Sequence, residues 1–107
     1  METRNWYSWI NAMPGDPKRL HVEAEGLVAN PGVQLSLSPR KPVEGVSVTT
    51  LCLNLHSGQR AGNWQDVITW APVTFKKVVF PEGIVWTEVK VYDNDEVVAE
   101  LNVDVVA

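Results

Sequence analysis

Few side chains in this chain are equipped for chemistry. The catalytic inventory is thin, with two histidines, His21 and His56, and one cysteine, Cys52. Cys52 and His56 share a parity on one predicted strand, but four residues of extended chain hold them about 13 Å apart. That spacing rules out a shared metal ion or a nucleophile–base pair unless the chain folds back. Flanked by Leu51 and Leu53, Cys52 reads as a small buried hydrophobe. His21 lies beside Glu23 on a polar strand face, where a solvated imidazole is the plain expectation.

Carboxylates gather at Glu23, Glu25, Asp93, Asp95 and Glu96. Asp93-Asn94-Asp95-Glu96 offers oxygen ligands without the spacing or the central glycine of a calcium loop, so it reads as a solvated acidic turn. No pair of carboxylates is set for glycoside cleavage. Gly58-Gln59-Arg60-Ala61-Gly62 lacks the lysine and the strand-to-helix setting of a phosphate loop. No catalytic constellation assembles from these residues, and no metal or cofactor is expected.

Binding residues are easier to find. The loop from Ser57 to Asp66 exposes Arg60, Asn63, Trp64 and Gln65, a tryptophan flanked by amides and a cation. Such residues suit a protein contact, and an indole between amides can stack on a sugar. The competing expectation is that Trp64 folds back to cap the domain. A second aromatic group opens the chain, Trp6-Tyr7-Ser8-Trp9-Ile10. Its spacing fits a short helix ending at Pro14-Gly15, or an edge strand with Trp6, Ser8 and Ile10 against Tyr7 and Trp9.

The elements that position these residues are strands. The 107 residues suffice for one domain with a proper core. Apolar residues make up 45 % and charged residues 21 %, as in globular proteins. The net charge of -4 disfavours nucleic acid or an anionic membrane as partner. No apolar run is long enough for a membrane span, and no signal pattern is seen, so a reducing, cytoplasmic setting is expected.

Period-two alternation dominates, punctuated by proline and glycine. Leu20, Val22, Ala24, Gly26 and Val28 form one strand face. Asn30-Pro31-Gly32 suits a type II turn with glycine at positive φ, after which Val33, Leu35 and Leu37 alternate. Across Val46 to His56 the apolar parity slips, predicting a bulge or kink near Thr49-Thr50. Ser57 to Asn63 reads as loop.

The last third reads as a three-strand meander of 73–80, 84–92 and 97–106. A Pro81-Glu82-Gly83 hairpin pairs Lys76 with Glu88, Phe75 with Val89, Val79 with Val85 and Phe80 with Ile84. If that segment crosses between sheets instead, those pairs do not form. At the next turn, the register that separates the faces joins Lys90 to Glu100, Val89 to Leu101 and Val91 to Ala99, with Glu96 or a neighbour in the left-handed conformation.

A sheet apolar on one face needs a second layer. The expectation is a two-layer antiparallel β-sandwich of about seven strands, in the size range of immunoglobulin- and fibronectin-like modules, without a Cys-Trp-Cys framework. Phe80, Ile84 and Trp86 fall on the outer face of the meander. Trp6 and Trp9 are expected to cover that face, with residues 1–15 laid on or capping the domain; otherwise Trp6, Trp9, Phe80 and Trp86 form a homodimer interface. By elimination the chain reads as a non-catalytic binding or protein-interaction module. A glycan-binding module and a homodimeric assembly domain are the alternatives.

Overall fold

The structure, a computed structural model, describes residues 1–11, 18–41, 45, 47–78 and 86–106. These contain eight strands: β1 (Thr3–Asn11), β2 (Arg19–Val28), β3 (Val33–Pro39), β4 (Thr50–Gln59), β5 (Thr69–Val78), β6 (Glu88–Asp93), β7 (Glu96–Asn102) and β8 (Asp104–Val106). They form two packed four-stranded sheets, ordered β5-β2-β1-β8 and β3-β4-β6-β7. The domain is therefore an all-β sandwich. Among the described residues there is no helix long and apolar enough to cross a membrane.

The sheets are not wholly antiparallel. β4 runs parallel to β6 and β1 parallel to β8. The cause is β5, which lies between β4 and β6 in the chain but pairs with β2 in the other sheet. A strand that leaves and re-enters the layer through its opposite sheet returns in the same direction.

That placement corrects the predicted meander. β5 and β2 share a ten-residue antiparallel ladder from Arg19↔Val78 to Val28↔Thr69, so Lys76 faces His21 and Phe75 faces Val22. Lys76–Glu88 and Phe75–Val89 do not pair. A cross-strand charge pair contributes about 0.2–1 kcal/mol, too little to outweigh a continuous ladder that also buries Ala71 and Val73. The Val79–Val85 and Phe80–Ile84 pairs lie outside the described residues.

Among the described residues of that region, only β6 and β7 form a hairpin, with the predicted Lys90↔Glu100, Val89↔Leu101 and Val91↔Ala99 register. The left-handed residue is Asn94 (φ 57°), not Glu96, because asparagine tolerates that conformation better than glutamate. Asp93 faces Glu96 across the tight turn, and Val98 is the extra residue of a bulge that restores the register.

Three other local expectations change. β4 begins at Thr50, after a turn closed by Thr50 N–H donating to Ser47 O at 3.0 Å. The parity slip marks that turn, so the bulge alternative gives way to the kink. β4 runs on to Gln59, since Ser57, Gly58 and Gln59 pair with Leu35, Gln34 and Val33. Polarity there reflects exposure. Gly32 does not take positive φ, which falls among the described glycines at Gly45 and Gly62. An Asx turn bends the chain instead, with Gly32 N–H donating to Asn30 Oδ1 at 2.9 Å.

The N-terminal aromatics are inside the sheet rather than laid over the sandwich. β1 lies between β2 and β8, so it is neither a helix nor an edge strand. A bulge between Arg4 and Tyr7, with Asn5 at φ 59°, sets the faces. Trp6, Ser8 and Ile10 point inward, while Tyr7 and Trp9 point outward, the alternation expected from the sequence. Trp6 and Trp86 both pack against the core of Ile10, Leu20, Val22, Leu53, Val73, Val89 and Val91. Trp86 is thus half-buried against the core and not on an outer face. Each fully buried leucine or valine contributes about 1.5–3 kcal/mol.

Candidate functional site

The sheet edges β3 and β5 meet along one side of the sandwich. Where β2 ends and the chain crosses through Pro31 into β3, they leave a cleft of about 350 Å³. Among the described residues, Val28, Val33, Leu35, Trp70 and Ala71 supply an apolar lining, Gln34 and Thr69 polar groups, and Arg60 the one charge. Local sequence explains the opening. Pro72 has no N–H to donate and sits on an edge strand, where none is required. Leu35 leans on the bare Cα of Gly26, where a Cβ would come within 2.5 Å of Leu35 Cδ1.

The rim is braced. Arg60 N–H donates to Gly32 O at 2.8 Å, and its Nη2 donates to Pro31 O at 3.0 Å. Trp64 Nε1–H donates to Arg60 O at 3.0 Å, and the Arg60 guanidinium carbon lies 5.0 Å from the centre of the Trp64 ring. The indole rests on Gly32, where an added Cβ would lie 2.5 Å from Trp64 Cδ2 and closer to Cε2 and Nε1. Asn30 and Gln59 exchange two amide hydrogen bonds of 3.0 Å beneath. The one polar atom of the Trp64 side chain is thereby paired within the fold.

Trp70 forms the opposite wall. The Arg4 guanidinium stands 3.8 Å over its ring, and Arg4 Nε contacts Glu25 Oε1 at 3.3 Å. Asn5 Nδ2 donates to the same carboxylate oxygen at 2.9 Å. These hydrogen bonds, from Asn5 first and Arg4 second, hold the Glu25 carboxyl below its ordinary pKa.

Of the four loop residues singled out in the sequence, Arg60 alone lines the cleft. Trp64 stands behind it as a brace, still 38 % exposed, which joins the capping expectation to the Arg60 one. Asn63 and Gln65 lie on the exposed loop and do not line the cleft. Of the proposed interface residues, Trp6 and Trp86 turn to the core, Trp9 turns outward, and Phe80 lies outside the described residues. Cys52 is buried and His56 exposed, its Nε2 2.7 Å from Ser38 Oγ, so the two do not meet.

Sequence reasoning missed Val28, Val33, Leu35 and the full part played by Trp70. One signal was available: a proline within a strand pattern, Trp70-Ala71-Pro72, marks an edge strand. The partner edge could not be read the same way.

Two further clusters complete the surface. Tyr7, Trp9 and His21 form a stack on the outer face, with ring centroids 5.0 and 4.7 Å apart. Partial burial lowers the His21 pKa, and the Lys76 and Arg19 charges add to the shift against Glu23. On the other sheet Arg40 lies over Tyr92 at 4.2 Å, and donates to Asn54 Oδ1 at 3.2 Å, Asp95 Oδ1 at 2.9 Å and the Asn94 carbonyl. It ties the β6–β7 hairpin down.

No protein-family model matches this chain, and no curated protein or solved structure matches it.

Proposed function

We propose that the domain is a non-catalytic binding module whose ligand sits in the cleft between β3 and β5. The observation that carries this is the cleft itself. Its volume of about 350 Å³ lies within the ~300–1000 Å³ of small-molecule sites. Apolar side chains converge there with a single cation and few other polar groups, the pattern of a site that binds by desolvation and orients by one charge. The rim is held by hydrogen bonds already made, so little ordering cost attends binding.

The glycan alternative draws less support from the geometry. Trp64 presents one face to Gly32 and its N–H to Arg60 O, leaving less indole for a sugar. The homodimer alternative also draws less support, since Trp86 is half-buried against the core.

The test uses N-phenyl-1-naphthylamine, a neutral apolar dye that brightens in apolar sites. Wild-type protein is expected to bind it saturably. Val33→Trp, which fills the cleft from its half-buried rim, is expected to abolish the signal while the circular dichroism spectrum is retained. Absence of wild-type binding, or equal binding by the folded Val33→Trp variant, refutes the reading.

A further inference from the structure

Resting on the cleft as the binding site, we infer that its ligand is a small apolar monocarboxylate, with the chain in the cleft and the carboxylate on Arg60. The protein is acidic, with 13 Asp and Glu against nine Lys and Arg, so its cations have carboxylates to choose from. Arg4 contacts Glu25 at 3.3 Å, Arg40 contacts Asp95 at 2.9 Å and Lys90 contacts Glu100 at 3.5 Å. Arg60, like Lys18, Arg19, Lys41, Lys76 and Lys77, forms no ion pair among the described residues. Its place sets it apart, because it lines the cleft while its guanidinium meets the Pro31 carbonyl and the Trp64 ring face.

The setting makes that cation useful. Its main chain is tied to Gly32 and its side chain to Pro31, so the charge is held at the mouth of the cleft. One Nη2–H is spent on the Pro31 carbonyl, and the planar fork has further donors with which to grip a carboxylate. A single arginine balances one negative charge; a phosphate monoester would leave a second charge beside Val33 and Leu35 without a partner. An uncharged apolar ligand would make no use of the cation. The apolar lining in turn disfavours an acidic peptide, whose charges would be stripped of water against it.

Competition against the bound dye tests this, with octanoate and octan-1-ol as probes of equal chain length. Octanoate is expected to displace the dye at about one-tenth the concentration octanol requires, since one charge-assisted hydrogen bond is worth roughly tenfold in affinity. Raising the salt is expected to narrow the gap. Arg60→Gln, which keeps a donor for Pro31 O, is expected to erase the octanoate advantage, so that the two probes compete equally. Equal competition by the two probes in wild type overturns the carboxylate assignment but leaves the cleft reading standing. So does an octanoate advantage that survives in Arg60→Gln. Failure of the dye itself to bind overturns both.

Discussion

Replacing Gly32 by alanine is expected to unseat Trp64, and the cost can be worked from the contact between them. Gly32 does not need positive φ, so alanine meets no backbone objection. The objection is the indole, within 2.5 Å of the new Cβ at Trp64 Cδ2. A ring cannot compress, so it must leave. It is 38 % exposed and has roughly 100 Å² of covered apolar surface to lose, of which about half returning to water costs ~1.3 kcal/mol at ~25 cal/mol/Å². Losing the Nε1–H bond to Arg60 O adds about 1 kcal/mol. Alanine's stiffer unfolded chain offsets about 0.4–1 kcal/mol of this. The net expectation is destabilisation of about 1.5 kcal/mol, a fall in Tm of roughly 6 °C for a domain of this size.

The decisive assay is a double-mutant cycle by urea unfolding. With Trp64→Ala in place the clash is gone, so Gly32→Ala is expected to become neutral or stabilising by up to about 1 kcal/mol. The coupling energy between the two sites is then about 2 kcal/mol. Gly32→Ala costing as much without the indole as with it would refute the reasoning, and with it the account of how the cleft rim is held.

Four further outcomes are expected. Arg40→Ala should lower the urea midpoint by about 1.5–2 kcal/mol of stability through lost stacking on Tyr92 and the bonds to Asn54 and the Asn94 carbonyl. Asp95→Ala should cost no more than about 0.5 kcal/mol, because that carboxylate is 98 % exposed; equal costs would place the ion pair, not the stack, in charge. His21 has a lowered pKa from burial and then Lys76 and Arg19. The unfolded chain therefore binds its proton first as pH falls, and stability declines from about pH 6.5 down to the lowered folded value, then levels. Lys76→Glu is expected to raise the His21 pKa in an NMR titration, since the two are cross-strand partners; an unmoved His21 would contradict the β2–β5 register.

Some of the fold was readable because the signal was local. β2 announces its buried face through Leu20, Val22, Ala24, Gly26 and Val28, all buried in the sandwich. The β6–β7 register followed from keeping opposite charges and apolar faces aligned across a short turn, and Lys90 does reach Glu100 at 3.5 Å. The Lys76–Glu88 pairing rested on the same logic and failed. A turn of five residues or more can reverse the chain within a sheet or carry it to the other one, and side-chain complementarity cannot distinguish the two. The candidate site was legible at Arg60 and, through Pro72, as an edge at β5. Its other wall was not.

While the N-terminal aromatics fitted a helix as well as a strand, composition and alternation by themselves determined an all-β chain and the buried faces of β2, β4 and β6. These depend on a side-chain period of two that any strand must obey. The tertiary structure alone decided which sheet each strand joined. That choice turned Trp86 from a surface residue into a core one, and placed β1 at the centre of a sheet instead of over it. It also brought Val33, Arg60 and Trp70, from three separate segments, to one cleft. Strand partners are chosen by the sum of many long-range contacts, each about as strong as its competitors, and no short window of residues contains that sum.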